Sequence, residues 1–324
     1  MKSALVTGAG GFIGSHLTAY LRKQGYWVRG VDLKLPDYAR HAAHEFMQLD
    51  LRRADSARIA AEGMDDVYAL AADMGGIGYT VAHDAAILHN NVLINANTLD
   101  AARRAGSKRY LFSSSACVYP EYRQSDANIT GLREVDAYPA QPDTEYGWEK
   151  LFTERLVDAY RRDHALDTRI VRFHNIYGSN GTWDGGREKA PAALCRKVAV
   201  AKLTGNPVVD IWGDGEQTRS FCYIDDCVEG IYRLMESGFY RPLNLGSETL
   251  ISINDLAYLI ADIAGVDIQL NHVSGAQGVR GRNSDNALLR EVLNWQPSTS
   301  LRDGLSVTYR WIESQVQERL AVRA

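Results

Sequence analysis

Four cysteines in 324 residues, at positions 117, 195, 222 and 227, are too few and too irregularly spaced for a disulfide framework. They contain no C-x-x-C pair, so Cys117, Cys195, Cys222 and Cys227 point to a reducing compartment. Long apolar runs are missing as well: none approaches the roughly 18 residues of a membrane-spanning helix. The opening residues MKSALVTGAG run straight into a strand pattern instead of a signal peptide. The expectation is a cytoplasmic protein with no membrane partner. Positive charge is not in excess either, since 36 Lys and Arg face 40 Asp and Glu for a net charge of −4. That balance removes any whole-molecule attraction for nucleic acid and leaves room only for a local cationic pocket. No metal is expected: His41 and His44 sit three residues apart without a matching thiol or carboxylate pair. Repeats, low-complexity tracts and linkers are absent too.

What remains is an ordinary globular composition, 45% hydrophobic and 23% charged, on a chain long enough for two lobes. Strand-like apolar runs at 2–7, 27–31, 66–71, 108–113 and 167–173 alternate with helical patterns, the longest at 85–105 and 146–164. Such alternation predicts an α/β fold, a doubly wound parallel sheet of Rossmann type with helices on both faces. Past residue 175 the pattern shortens and turns glycine-rich. Residues 1–174 are therefore expected to form the dinucleotide-binding domain, and 175–324 mainly a smaller substrate-binding lobe, with the chain crossing back to the sheet.

The stretch T-G-A-G-G-F-I-G places Gly8, Gly11 and Gly14 between the first strand and first helix, with Phe12 and Ile13 opening that helix. Glycines there let backbone approach a pyrophosphate, and the helix N-terminus supplies free N–H groups. Asp32 ends the second strand, where a carboxylate accepts hydrogen bonds from the ribose hydroxyls and repels a 2′-phosphate, favouring NAD over NADP. Asp50, in Q-L-D-L, either reaches the adenine or serves as a turn or capping residue before Arg52.

Tyr146 and Lys150 are four residues apart at the start of a helix and so share a face. A lysine ammonium beside the phenol is expected to lower its pKa toward neutrality and make it a usable base for a substrate hydroxyl. A serine cluster ending at Ser115 precedes this pair.

These three features together resemble the extended short-chain dehydrogenase/reductase superfamily over nearly the whole chain. The resemblance implies Ser115, Tyr146 and Lys150 as the catalytic trio and a nucleotide sugar in the carboxy-terminal lobe. In that setting Cys117 acquires a role. Oxidising a sugar hydroxyl to a ketone acidifies the hydrogens on both neighbouring carbons, and inverting those carbons requires a base on one ring face and an acid on the other. Cys117 stands two residues past Ser115 on a segment read as extended, so its thiol is expected to point into the same site. Lys189, in G-G-R-E-K-A-P-A-A before a predicted helix, is the candidate partner acid.

Longer stretches narrow the match. A-D-M-G-G-I-G, S-S-A-C-V-Y-P, R-F-H-N-I-Y-G, G-T-W-D-G-G-R-E-K-A-P-A-A, W-G-D-G-E-Q-T-R-S-F and V-R-G-R-N-S-D-N are similar to segments of the GDP-mannose 3,5-epimerase family. The resemblance implies GDP-mannose as substrate, transient oxidation at C4 by NAD, epimerisation at C5 and C3, and GDP-L-galactose or GDP-L-gulose as product, in a homodimer. It implies Cys117 and Lys189 as the acid/base pair, with Ser115 and Tyr146 at the C4 oxygen. Gly75, Gly76, Asn175, Glu188, Lys197, Gln217, Arg219 and Arg282 would line the substrate site, with Arg280 beside them. Cations in that set suit a diphosphate.

Rival readings fit less well. A 4,6-dehydratase would carry an Asp-Glu pair where Ala116 and Cys117 stand. GDP-fucose synthase, an epimerase/reductase, uses a histidine at the place of Lys189 and consumes NADPH, which Asp32 disfavours. A non-catalytic NAD-binding sensor of this fold would have no use for Tyr146 and Lys150.

Overall fold

The computed structural model describes residues 1–323. Ala4, Leu5 and Val6 are wholly buried, as an apolar run without alternation must be when helices cover both faces of its sheet. With elements numbered in chain order, this run is β1 (Ser3–Thr7) of a seven-stranded sheet. On one side of it lie β2 (Trp27–Asp32) and β3 (Glu45–Gln48). On the other lie β4 (Asp66–Ala69), β5 (Arg109–Ser115), β6 (Asp167–Phe173) and, at the edge, β11 (Pro242–Leu245). Every pairing in the sheet is parallel. Strand order reverses direction between β1 and β4, so a crevice opens beyond their carboxyl ends, where open α/β sheets bind ligands.

Helices α1 (Phe12–Lys23) and α7 (Ile224–Glu236) cover one face, burying Leu17, Leu21, Ile231 and Leu234. Helices α2 (Ala54–Ala61), α4 (Asp84–Ala105) and α5 (Glu145–His164) cover the other around Leu99, Phe112 and Val157. A short α3 (Ile77–Ala82) leads into α4. The start of α5 is fixed by Thr144, whose hydroxyl accepts the Gly147 N–H at 3.3 Å.

The smaller lobe packs α6 (Ala190–Thr204), α8 (Ile253–Ala264) and α10 (Leu301–Arg323) against one another. Short strands complete it: β8 (Val208–Trp212) pairs with β13 (Gln269–Val273), and β9 (Thr218–Ser220) lies between β12 (Leu250–Ser252) and β14 (Gly281–Arg282). A further pair, β7 (Ile176–Tyr177) with β10 (Cys222–Tyr223), joins the lobes, and α9 (Ala287–Leu293) packs near β11. The second half of the chain thus returns to the sheet with α7 and β11 before leaving it again.

Two local readings change. β5 runs on to Ser115, past the expected end at 113, because Ser113, Ser114 and Ser115 pair with Val171, Arg172 and Phe173 of β6. Cys117 is not on an extended segment: Ala116–Val118 is a single 3-10 turn, and the Ser115 hydroxyl accepts the Cys117 N–H at 3.1 Å. Strand alternation therefore does not aim the thiol; the capped turn does.

Candidate active site

The crevice at the strand ends is a cavity of about 770 Å³ lined by the glycine turn, Asp32, Asp50, Gly75, Tyr146, Lys150 and Lys189. At its dinucleotide end the turn is too tight for side chains. Gly8 has φ +70°, and a Cβ on Gly14 would lie 2.1 Å from the Gly8 carbonyl. The N-terminus of α1 at Gly11 has no side-chain cap, so its first N–H groups remain for a ligand. Gly10, which the G-x-x-G-x-x-G reading passed over, donates its N–H to Asp32 Oδ2 at 3.0 Å. Asp32 Oδ1 accepts from Leu33 N at 2.6 Å. Burial raises the Asp32 pKa, and these N–H donors oppose the rise. A glycine cradle, an uncapped helix and a carboxylate at the end of β2 fit NAD.

Asp50 lines the cavity while its carboxylate is held by Arg52, with Nη2 to Oδ2 at 2.7 Å, and that contact lowers its pKa. The turn reading before Arg52 matches these contacts. His44 accepts the Val28 N–H through Nδ1 at 3.1 Å and stacks on Trp27.

At the other end, α5 and the turn after β5 bring the reactive groups together. Lys150 is fully buried; its Nζ donates to the Ser113 carbonyl at 3.0 Å and lies 5.5 Å from the centre of the Tyr146 ring. The expected fall in the phenol pKa is corrected here. Burial pushes Tyr146 well above its ordinary value, the charges of Cys117 and Glu149 push the same way, and only a hydrogen bond with Ser115 opposes them. Lys150 lies below its ordinary value, again through burial. The lysine rests against backbone and ring instead of compensating the phenol's desolvation.

Gly147, next to Tyr146, touches the Cys117 turn so closely that a Cβ would lie 2.2 Å from the Cys117 carbonyl oxygen. The thiol itself accepts from Arg282 Nη1 at 3.3 Å. Arg282 is buried and further held by Gln124 Oε1 at 2.5 Å and Asp143 Oδ1 at 3.5 Å. Arg219 lies close by with its pKa pushed down to about 10, through burial and then the charge of Arg282. Its guanidinium donates to the carbonyls of Thr218, Gln277 and Val279 and to no carboxylate. Lys189 stands on the cavity wall at the N-terminus of α6. Its side chain is open to the cavity while protein crowds it on the other sides. The crowding lowers its pKa, and the charge of Cys117 works against that fall. Cys117, Tyr146, Lys189, Arg219 and Arg282 thus form one electrostatic cluster.

Other expected substrate contacts are occupied within the fold. Glu188 accepts from Arg196 Nη2 at 2.9 Å and from Gly186 N at 2.7 Å. Asn175, at φ +46°, donates to the Ser220 carbonyl at 3.0 Å. Lys197 donates to the Asp210 carbonyl at 2.6 Å. Gln217 donates to the Trp212 carbonyl at 3.3 Å, and its own buried Oε1 has no partner. Gly75 and Gly76 sit where side chains would strike Tyr79 and the Glu188 carbonyl. Arg280, given only as a neighbour of the set, is half-buried and paired with Asp214 Oδ1 at 2.8 Å. Sequence reasoning missed Gln124 and Asp143, which orient Arg282. Of these only Asp143 had a visible signal, its place three residues before Tyr146.

The family model matches residues 4–246, which hold the glycine turn, Cys117, Tyr146, Lys150 and Lys189 but not Arg282, and the chain belongs to the NAD dependent epimerase/dehydratase family. Within that family it is 46% identical over 315 residues to GDP-mannose 3,5-epimerase 1 of Oryza sativa subsp. japonica, spanning 97% of this chain and 82% of the relative. It is 45% identical over 318 residues to GDP-mannose 3,5-epimerase of Arabidopsis thaliana, spanning 98% and 83%. Among solved structures, UDP-glucose 4-epimerase of Thermotoga maritima with UDP-glucose superposes with a TM-score of 0.86 at 26% identity, over 97% of this chain and 99% of that one.

Proposed function

We propose that this chain is a GDP-mannose 3,5-epimerase, and that Cys117 and Lys189 are its acid/base pair. The observation that carries the reading is a thiol on a capped turn beside Tyr146, with a lysine of depressed pKa on the facing loop. A simple 4-epimerase has no use for that pair. The Gly8–Gly14 turn and Asp32 would hold NAD, which would supply the hydride acceptor for C4. Tyr146, as the phenolate that its burial disfavours in the free protein, takes the proton of the C4 hydroxyl, aided by Ser115, and gives it back on reduction. Cys117 removes a proton from the carbon next to the ketone, and Arg282 donates a hydrogen bond to its sulfur. Lys189 protonates the opposite ring face, the crowding around its ammonium easing release of the proton. Arg219 is a half-buried cation without a hydrogen-bonded carboxylate partner, which suits a diphosphate. One base and one acid serve both carbons, so the products include GDP-L-galactose and GDP-L-gulose.

The dimer expected from the resemblance belongs to this proposal. Trp148 and Phe152 lie one turn apart on α5, 43% and 53% exposed, with Tyr138 beside Arg155 of the same face. A wide aromatic face on a surface helix suits a second copy. Replacing Trp148 and Phe152 by glutamate is expected to halve the mass seen by sedimentation. Unchanged dimers in that variant would move the interface elsewhere. Among the described residues no helix is long and apolar enough to cross a membrane. All four cysteines are free, which fits the proposed cytoplasmic location.

The test is incubation of the purified protein with GDP-mannose in deuterated water, with NAD, followed by NMR and mass spectrometry. Deuterium at C5 and C3 in L-configured products is the expected result. Absence of exchange would remove GDP-mannose as the substrate.

A further inference from the structure

The segment that delivers Lys189 faces open space at two of its glycines. Gly185 and Gly186 have φ of +93° and +87°, and a Cβ on either meets nothing within 4 Å. Within its own lobe Arg196 of α6 pairs with Asp184 and Glu188, and the remaining anchors come from the other lobe. The Arg187 guanidinium lies 3.8 Å from the centre of the Tyr79 ring and donates to the Tyr79 hydroxyl. It also lies 3.7 Å from Asp73 Oδ1, to which the Tyr79 hydroxyl donates at 3.0 Å. The Gly76 N–H donates to the Arg187 carbonyl at 3.1 Å. Asp73 is itself anchored to α4, where Asn91 accepts its N–H at 2.7 Å and Asn90 donates to Oδ2 at 2.9 Å. Between Asp73 and Gly76, Met74 Sδ lies 4.0 Å from the Tyr146 hydroxyl.

Cys117 and Tyr146 belong to the large lobe, whereas Lys189 hangs on this loop. We propose that Asp73, Tyr79 and Arg187 are positioning residues, a clasp that sets Lys189 against Cys117 and retains the ketone during epimerisation. The proposal rests on the epimerase reading above. None of the three touches the reacting atoms; they act through the Lys189 backbone and the mouth of the cavity. The chemistry gives such a clasp a measurable consequence. The ketone has lost one hydride and one hydroxyl proton, so a ketone that escapes leaves the nicotinamide reduced and the enzyme stalled.

The test compares wild type with Arg187→Met, Arg187→Lys and Tyr79→Phe. In hydrogen exchange of the full chain without sugar, the Gly76 amide is expected to exchange about tenfold faster in Arg187→Met, as a locally opened hydrogen bond does. With GDP-mannose, kcat is expected to fall about 10- to 100-fold, in line with small misplacements of reacting groups, while KM stays within about threefold. Reduced nicotinamide is expected to build up in its near-ultraviolet absorbance as turnover proceeds, with Arg187→Lys and Tyr79→Phe falling between. A wild-type kcat in Arg187→Met with no reduced nicotinamide, or Gly76 exchange at the wild-type rate, would overturn the clasp. Failure of the wild type to act on GDP-mannose would overturn the epimerase reading by itself, while the exchange comparison still decides whether Arg187 holds Gly76.

Discussion

Cys117→Ala is expected to keep the fold and NAD binding and to lower deuterium incorporation at C5 and C3 by about 10²- to 10⁴-fold, the usual contribution of a positioned acid or base. The loss should be confined to epimerisation. Tyr146, Ser115 and Lys150 are untouched by the substitution, so oxidation at C4 continues, visible as reduced nicotinamide formed on adding GDP-mannose. Arg282 keeps its bonds to Gln124 and Asp143, so its charge is not left stranded. Turnover near the wild-type rate would return Cys117 to the status of a small packing residue and leave Lys189 without a partner.

Glu154→Gln is the second large effect, and it concerns stability. Glu154 and Arg172 are a buried pair, with side chains 5% and 2% exposed and Nη2 to Oε2 at 2.7 Å. Ser114 donates to Glu154 at 2.5 Å, and Arg172 also donates to the Tyr119 hydroxyl at 3.2 Å. Tyr119 continues to Asn244 of β11 at 2.6 Å. Removing the carboxylate charge leaves a buried guanidinium uncompensated, which costs about 3–5 kcal/mol. A lower urea midpoint is expected, with part of the loss recovered when Arg172→Met is added, because the second change removes the stranded charge. A midpoint unchanged by Glu154→Gln would mean that water or the Glu134 carbonyl, which accepts from Arg172 Nη1 at 2.8 Å, already satisfies Arg172.

The sequence announced the parts of the site whose geometry is local. Gly8 to Asp32 is one strand, turn, helix and strand, so residue types and spacing alone put the glycines beside the carboxylate. Tyr146 and Lys150 share a face because a helix repeats. Arg282 shows the opposite case: it meets Gln124 and Asp143 across 158 and 139 residues of chain, and no periodic pattern encodes such a meeting. The direction of the Tyr146 shift was illegible for a related reason. It depends on how much protein surrounds the phenol, and burial outweighs the neighbour that spacing could name. The turn at Cys117 was illegible as well, since a serine capping a 3-10 turn looks in sequence like the continuation of a strand.

The contact between Gly147 and the Cys117 carbonyl means that the phenol and the thiol are mounted on a single bracket with no clearance to adjust. One added carbon at residue 147 would drive the two apart, so in the proposed mechanism the oxidising step and the inverting step share one mechanical tolerance. The adjustable part of the machine is the facing loop, where Gly185 and Gly186 leave open space. A version of this protein rebuilt for a different sugar would be altered on that loop, with the bracket carried over as it stands.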